Sequence, residues 1–185
     1  MALTVDEIRI QAQLLGGIQI DAQTNLIWVK QGINDIVRQY GQTASPYAQE
    51  DFETADNYGV YEPEHEIVLV DKVLDRGNGV LSRTQEYSLN GEQLTMFYPG
   101  QYQLRYYYVP DMPEVVTDSV PLPNQFANAL KFYCAARIRA RVFGQDDQSA
   151  VSMMEEFKNT AKEAATFMRL RDKHTKKMPP STWKG

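Results

Sequence analysis

Few groups in this sequence could hold a metal, a proton in transit or a forming bond, and they keep poor company. The histidines are His65 and His174. His65 stands in Glu62-Pro63-Glu64-His65-Glu66, which could offer carboxylates and an imidazole to a divalent cation. A metal site needs such ligands to converge in fixed geometry with a supporting second layer of hydrogen bonds. Adjacent residues of one loop do not supply that, and a solvated acidic loop leading into a strand accounts for the run. His174 falls in an aperiodic C-terminal stretch that cannot hold a preorganised site. Cys134 is the single cysteine, which leaves no disulfide framework and suits a reducing compartment. It sits mid-helix between Tyr133 and Ala135, where a thiol reads as a small buried hydrophobe rather than a reactive thiolate.

The remaining motifs have structural explanations. Gly77-Asn78-Gly79 lacks the spacing of a phosphate loop and leads toward a strand, so it reads as a turn. Asp146-Asp147 reads as a helix cap. No serine has a nucleophile-elbow context. No catalytic, metal-binding or cofactor-binding residue is assigned, no cofactor is expected, and an enzyme is not expected.

Two features call for a partner instead. Lys131, Arg137, Arg139 and Arg141 place four cations on an otherwise apolar helix, with Arg137 and Arg141 on one face. Buried guanidinium groups need partners. Acids from elsewhere in the chain or from a neighbouring subunit are expected there, the alternative being that the arginines reach solvent. The second feature is aromatic. Tyr106, Tyr107 and Tyr108 end a strand, and the tail carries Lys176, Lys177, Met178, Pro179 and Trp183. Tyr and Trp give large rigid contact areas with a polar tip, so both segments are read as partner-binding.

The elements that would position these groups can be followed along the chain. Thr4 and Glu7 form a capping box, and a short helix ends at Gly16-Gly17. A second helix starts near Asp21 or Thr24, shows an apolar stripe from Leu26 to Tyr40 and stops at Gly41. Residues 42–66 read as an acidic loop with a helical turn near 49–54. Strands follow at 67–74, 80–89, 93–98 and 102–109, with Asn90-Gly91 as the two central residues of a type I′ hairpin turn. Connections this short imply adjacent antiparallel pairing, hence a four-stranded meander. Residues 110–123 read as a proline-stiffened linker with Pro123 at the first position of a third helix. That helix spans 124–143 and is apolar nearly all round, the mark of packing on several sides. A fourth helix, capped by Asp146 or Asp147, carries Ala150, Met154, Phe157, Ala161, Ala164 and Met168 at heptad-like spacing.

The expected fold is therefore α+β, mainly α: a helical bundle core with an inserted four-stranded antiparallel β meander and an extended C-terminal tail. One domain covers 1–172, with helical core 1–41 and 122–172 and the loop and β insertion at 42–121. The tail is 173–185.

Composition agrees with an ordinary globular chain, with 43% apolar and 23% charged residues. No segment approaches the ~20 apolar residues of a membrane span. The acid-bearing opening residues do not suggest a signal peptide. Net charge is −5, but residues 169–185 hold six Lys/Arg against Asp172, which leaves −10 for the body. A basic tail on an acidic body suggests that the tail meets an acidic surface or nucleic acid.

The run "YYYVPDMPEVVTDSVPLPNQFANALKFYCAARIRARVFGQDDQSA" carries a resemblance. Its Tyr106-Tyr107-Tyr108 strand end, proline-rich linker, Leu122-Pro123, Tyr133, Ala135, Ala136, Phe143-Gly144 and Asp146-Asp147 resemble the head–tail connector (adaptor) proteins of tailed bacteriophages. The resemblance implies a structural virion protein of the phage neck, assembled in the host cytoplasm. It implies a ring, usually of twelve copies, beneath the portal protein. Such a ring extends the DNA channel, meets a downstream tail or neck protein, lets genomic DNA pass without specific binding and involves no membrane. In the family the C-terminal segment often reaches the portal or a neighbour, which corresponds here to 173–185. The acidic body suits passage of DNA, because like charge removes the phosphate-binding contribution. Two other readings are a nucleic-acid-binding protein acting through its basic tail and a small enzyme with an acidic site near His65. The first lacks a basic patch on a folded element, and the second lacks converging groups.

Overall fold

A computed structural model describes residues 2–77 and 80–175. The chain forms two compact units, one of Met1–Ala44 with Asp111–Gly185 and one of Ser45–Pro110.

The first unit is helical. Helix α1 (Val5–Gly16) begins with the expected capping box: the Thr4 amide donates to the Glu7 carboxylate at 2.8 Å and the Glu7 amide to Thr4 Oγ1 at 3.2 Å. It ends at Gly17, whose φ of 72° favours glycine. Helix α2 (Ala22–Ala44) follows Asp21, whose carboxylate accepts the Thr24 amide. The expected stop at Gly41 is not a stop. The helix breaks its regular angles at Tyr40 (φ −127°, ψ 25°) and then continues, because Thr43 and Ala44 are buried and the Thr43 hydroxyl donates to the Tyr40 carbonyl.

Helix α3 (Asn124–Phe143) runs through the centre of this unit and packs on α1, α2 and α4 (Gln148–Thr175). Phe126, Leu130, Tyr133, Cys134 and Ile138 are buried on it. Burial of each large apolar side chain contributes about 1.5–3 kcal/mol. Small residues bring the backbones close. A Cβ at Gly32 would lie 2.7 Å from Leu130 Cδ2 and 3.2 Å from the Tyr133 ring. Pro123 occupies the cap position of α3, not its first helical position. On α4, Ala150, Phe157, Ala161, Ala164 and Met168 are buried, and Met154 is half-buried. Helix α4 continues through Thr175, so residues 173–175 are helical and not part of an extended tail. The rest of that tail lies outside the described residues.

The proline-rich segment is more than a linker. The Val5 and Asp6 amides donate to the carbonyls of Asp118 and Val116, the Val120 amide donates to the Leu3 carbonyl, and Thr4 bridges Ser119 antiparallel. The first amides of any helix lack partners within it, and residues 116–120 supply partners for α1. Asp118 fixes this segment by accepting the Glu114 and Val115 amides.

The second unit corrects the expected β architecture. It holds β1 (Tyr47–Thr54), β2 (Gly59–Tyr61), β3 (Ile67–Asp75), β4 (Ser82–Thr84), β5 (Tyr87–Asn90), β6 (Gln93–Met96) and β7 (Gly100–Tyr108). These form two antiparallel sheets, ordered β1-β7-β3-β4 and β2-β6-β5. The mainly α fold with a four-stranded meander is thereby overturned: the described residues carry four helices and seven strands in two sheets. Consecutive β6 and β7 do not pair. Strand β7 is central, with Phe52↔Tyr102 on one side and Val73↔Leu104 on the other.

Two local expectations fail for related reasons. Residues 42–66 are not a loop, because β1 and β2 lie there. The expected strand at 80–89 divides into β4 and β5, which belong to different sheets. The hairpin near Asn90 exists, but Asn90 pairs with Gln93, so Gly91 and Glu92 form its turn and only Gly91 has positive φ. That excludes a type I′ turn centred on Asn90-Gly91. The core of the unit is Phe52, Val73, Leu94, Met96, Tyr102, Leu104 and Tyr106, drawn from both sheets.

Candidate functional site

Strand β1 aims alternate residues inward, and one of them is Glu50. Its carboxylate accepts the hydroxyls of Tyr61 and Tyr106 and, at 3.3 Å, the Glu64 amide. Burial, reinforced by the hydrogen bond to Glu50, pushes both phenols well above the ordinary tyrosine range. The neutral phenols donate to the Glu50 carboxylate and tie β1, β2 and β7 together.

The three tyrosines separate accordingly. Tyr106 is fully buried with its hydroxyl taken, so its assignment to a partner surface is corrected: it belongs to the core. Tyr107, on the opposite face, meets Tyr47 edge-on with ring centroids 5.1 Å apart. Tyr47 is half exposed and donates to Asp71 at 3.1 Å; burial and that hydrogen bond push its phenol up to about 12. Tyr108 stacks on His65 at 4.2 Å and 13°. His65 is thereby held flat against an aromatic ring. Among the described residues, no group of three or more His, Cys, Asp or Glu is arranged to hold a metal ion. On the Tyr107 face, Asp51 accepts from Arg76 at 2.8 Å and from Gln103 at 2.9 Å, and Arg105 donates to Gln103 at 2.8 Å. Sequence reasoning missed both networks: Glu50 is an inward acid that breaks the alternation marking a strand, and the Asp51–Gln103 contact joins residues far apart along the chain.

The cations of α3 do not find acids uniformly. Arg139 forks onto Asp147 at 2.8 and 3.2 Å, while Asp147 also accepts the Ala150 amide and so caps α4. The Arg139 hydrogen bond, followed by the Ala150 amide, holds the Asp147 carboxyl below its usual range. Arg137 instead donates Nη2 to the Tyr133 hydroxyl at 2.8 Å, with its guanidinium 5.0 Å from that ring. Its Nε is buried with no hydrogen-bond partner among the described residues. Burial raises the Tyr133 phenol, Arg137 lowers it, and Asp35 of α2 raises it. Of the two sources expected for an acid partner of Arg137, the chain itself supplies none within 4.0 Å among the described residues. Arg141 is exposed, and its charge contributes to the lowered carboxyl of Asp21, after the Thr24 hydrogen bonds.

Between α3 and α4 lies a cavity of about 330 Å³ lined by Ala136, Arg137, Ala140, Ala150, Met154 and Lys158, among others. Val142, Phe143 and Val151 are exposed around the same corner at 54%, 58% and 47%. The partner assignments to Lys176, Lys177, Met178, Pro179 and Trp183 lie outside the described residues. No helix among the described residues is long and apolar enough to cross a membrane. Neither a protein-family model nor a curated protein matches this sequence.

Proposed function

We propose that this chain is a structural head–tail connector of a tailed bacteriophage, whose copies form a ring beneath the portal, extend the DNA channel and join capsid to tail. The observation that carries this reading is the α3–α4 corner. It is the segment whose sequence carries the family resemblance, and it combines a tightly packed helix with exposed Val142, Phe143 and Val151 and a guanidinium lacking its full set of partners. Aromatic and arginine side chains grouped in this way are typical of protein contact surfaces. The acidic β unit, with eleven acids and four bases in Ser45–Pro110, further suits a channel that DNA crosses without adhering.

The test is co-migration of the full chain with a purified portal ring, compared with a chain lacking 173–185. Stable co-migration that weakens on truncation is the expected result. A full chain that ignores the portal but binds duplex DNA with steep salt dependence would overturn the reading in favour of a nucleic-acid-binding protein.

A further inference from the structure

The guanidinium of Arg137 is an incomplete site. Its Nη2 is held by Tyr133, and its Nε is buried without a partner among the described residues. It lines the α3–α4 cavity of about 330 Å³ together with Lys158. The one carboxylate lining this cavity, Glu155, makes no ion pair with Arg137. Helix α3 carries four cations and no acid along its whole length. Asp35 of α2 acts on the Tyr133 hydroxyl but makes no ion pair with Arg137, so the cavity leaves Arg137 open to a carboxylate from another surface, on a segment able to meet apolar Val151 in its lining.

The same chain contains such a segment. Residues 45–70 hold seven acids and no Lys or Arg. Within them Glu62, Glu64 and Glu66 are all exposed, and the intervening backbone is fixed. The Glu64 amide donates to Glu50, the Val109 amide donates to the Glu66 carbonyl, and His65 is stacked on Tyr108. A fixed backbone presents its carboxylates with little ordering entropy left to lose on docking. Pro63 and the Tyr108 ring add apolar surface beside the acids.

We propose that the α3–α4 corner receives the Glu62–Glu66 loop of a second copy of this chain, one of whose carboxylates pairs with Arg137 where it lines the cavity. The two patches differ, so the junction is heterologous, and repeated head-to-tail it generates a ring when the rotation closes. The inference rests on the connector reading and specifies which surfaces neighbouring copies use.

The experiment mixes chains carrying Glu64→Cys with chains carrying Arg137→Cys, both free at rising concentration and on a purified portal ring, and joins them with a short bismaleimide. A guanidinium–carboxylate pair holds its Cα atoms farther apart than the about 4.4–6.8 Å a disulfide needs, so a linker and not oxidation spans the two thiols. The mixture is expected to give a band at twice the chain mass, at least tenfold stronger than either variant alone. Parent chain controls for Cys134, which is fully buried with its thiol pushed well up by burial. Val151→Cys replaces Arg137→Cys should that variant not fold. A double variant that cross-links within one chain overturns the junction, as does a mixture uncross-linked under every condition. If cross-linking fails while the chain still co-migrates with the portal, the connector reading stands without this junction. If cross-linking succeeds without portal binding, the junction stands and the connector reading falls.

Discussion

The helical unit packs backbone against backbone, whereas the β unit packs aromatic rings around an inward carboxylate. In the first, Gly32 lets α2 approach Leu130 and Tyr133, and Gly16 lies close to Ile138 of α3. In the second, Glu50 ties Tyr61 and Tyr106 together from the inside, while Gln103, almost fully buried, is tied to Asp51 on the other face. The difference teaches where each unit is vulnerable. Close apolar packing is broken by lost volume. A polar clamp is broken by loss of one partner, because the groups left behind stay buried and unsatisfied.

The largest expected effect is Leu130→Ala. Removing a fully buried side chain at the α2–α3 approach should destabilise the helical unit by about 2–5 kcal/mol. Denaturant unfolding followed by Trp28 fluorescence in a Trp183→Phe background reads this out, since Trp28 lies on α2. A loss under about 1 kcal/mol would mean the approach is loosely packed.

Glu50→Ala should come next. It leaves the fully buried Tyr106 hydroxyl without its acceptor, at a cost of about 1–3 kcal/mol, with Glu50→Gln milder. Ultraviolet titration provides a second readout. The raised phenols of Tyr61 and Tyr106 contribute stability that is present below the unfolded tyrosine value near 10 and is lost as pH rises through their folded values. In Glu50→Ala, ionisation of these phenols should move to lower pH. An unchanged titration would show that the hydrogen bond to Glu50 contributes nothing beyond burial.

Thr4→Ala should cost about 1 kcal/mol by removing the α1 cap, measured as a shift in denaturation midpoint. The effect should stay moderate, because residues 116 and 118 already hold the Asp6 and Val5 amides. The smallest effect is acid sensitivity. Asp21, Asp118 and Asp147 all have lowered carboxyls, for the first two because backbone amides donate to them and for Asp147 chiefly because Arg139 does. Their contribution is fully present above the ordinary value of 3.8 and is lost as pH falls through the lower folded values. Asp118→Asn should flatten that acid limb slightly. A limb unchanged by Asp118→Asn would mean that its two backbone hydrogen bonds do not report on stability.

Legibility followed the same division. The capping box at Thr4 and Glu7, the boundaries of α3 and a cap at Asp146 or Asp147 were written in local sequence, because caps and helical periodicity need only neighbours along the chain. The face shared by Tyr102, Leu104 and Tyr106 was equally readable from alternation and forms the core. Strand β1 was not, because its inward positions include Glu50, an acid that makes sense only beside tyrosines 11 and 56 residues away. The order β1-β7-β3-β4 was likewise hidden, since short connections favour sequential pairing and nothing local announces that β6 and β7 belong to different sheets. At the candidate site, the cations of α3 were visible, but the choice of Tyr133 over an acid for Arg137 depends on the packing around α3.

The central claim is that the chain works by fitting against copies of itself and a larger scaffold. Electron cryo-microscopy of the full chain bound to a purified portal ring tests it most directly. The account predicts a closed ring of copies coaxial with the portal channel. A single copy bound off the axis, or a portal left bare at saturating concentration of the chain, would contradict it.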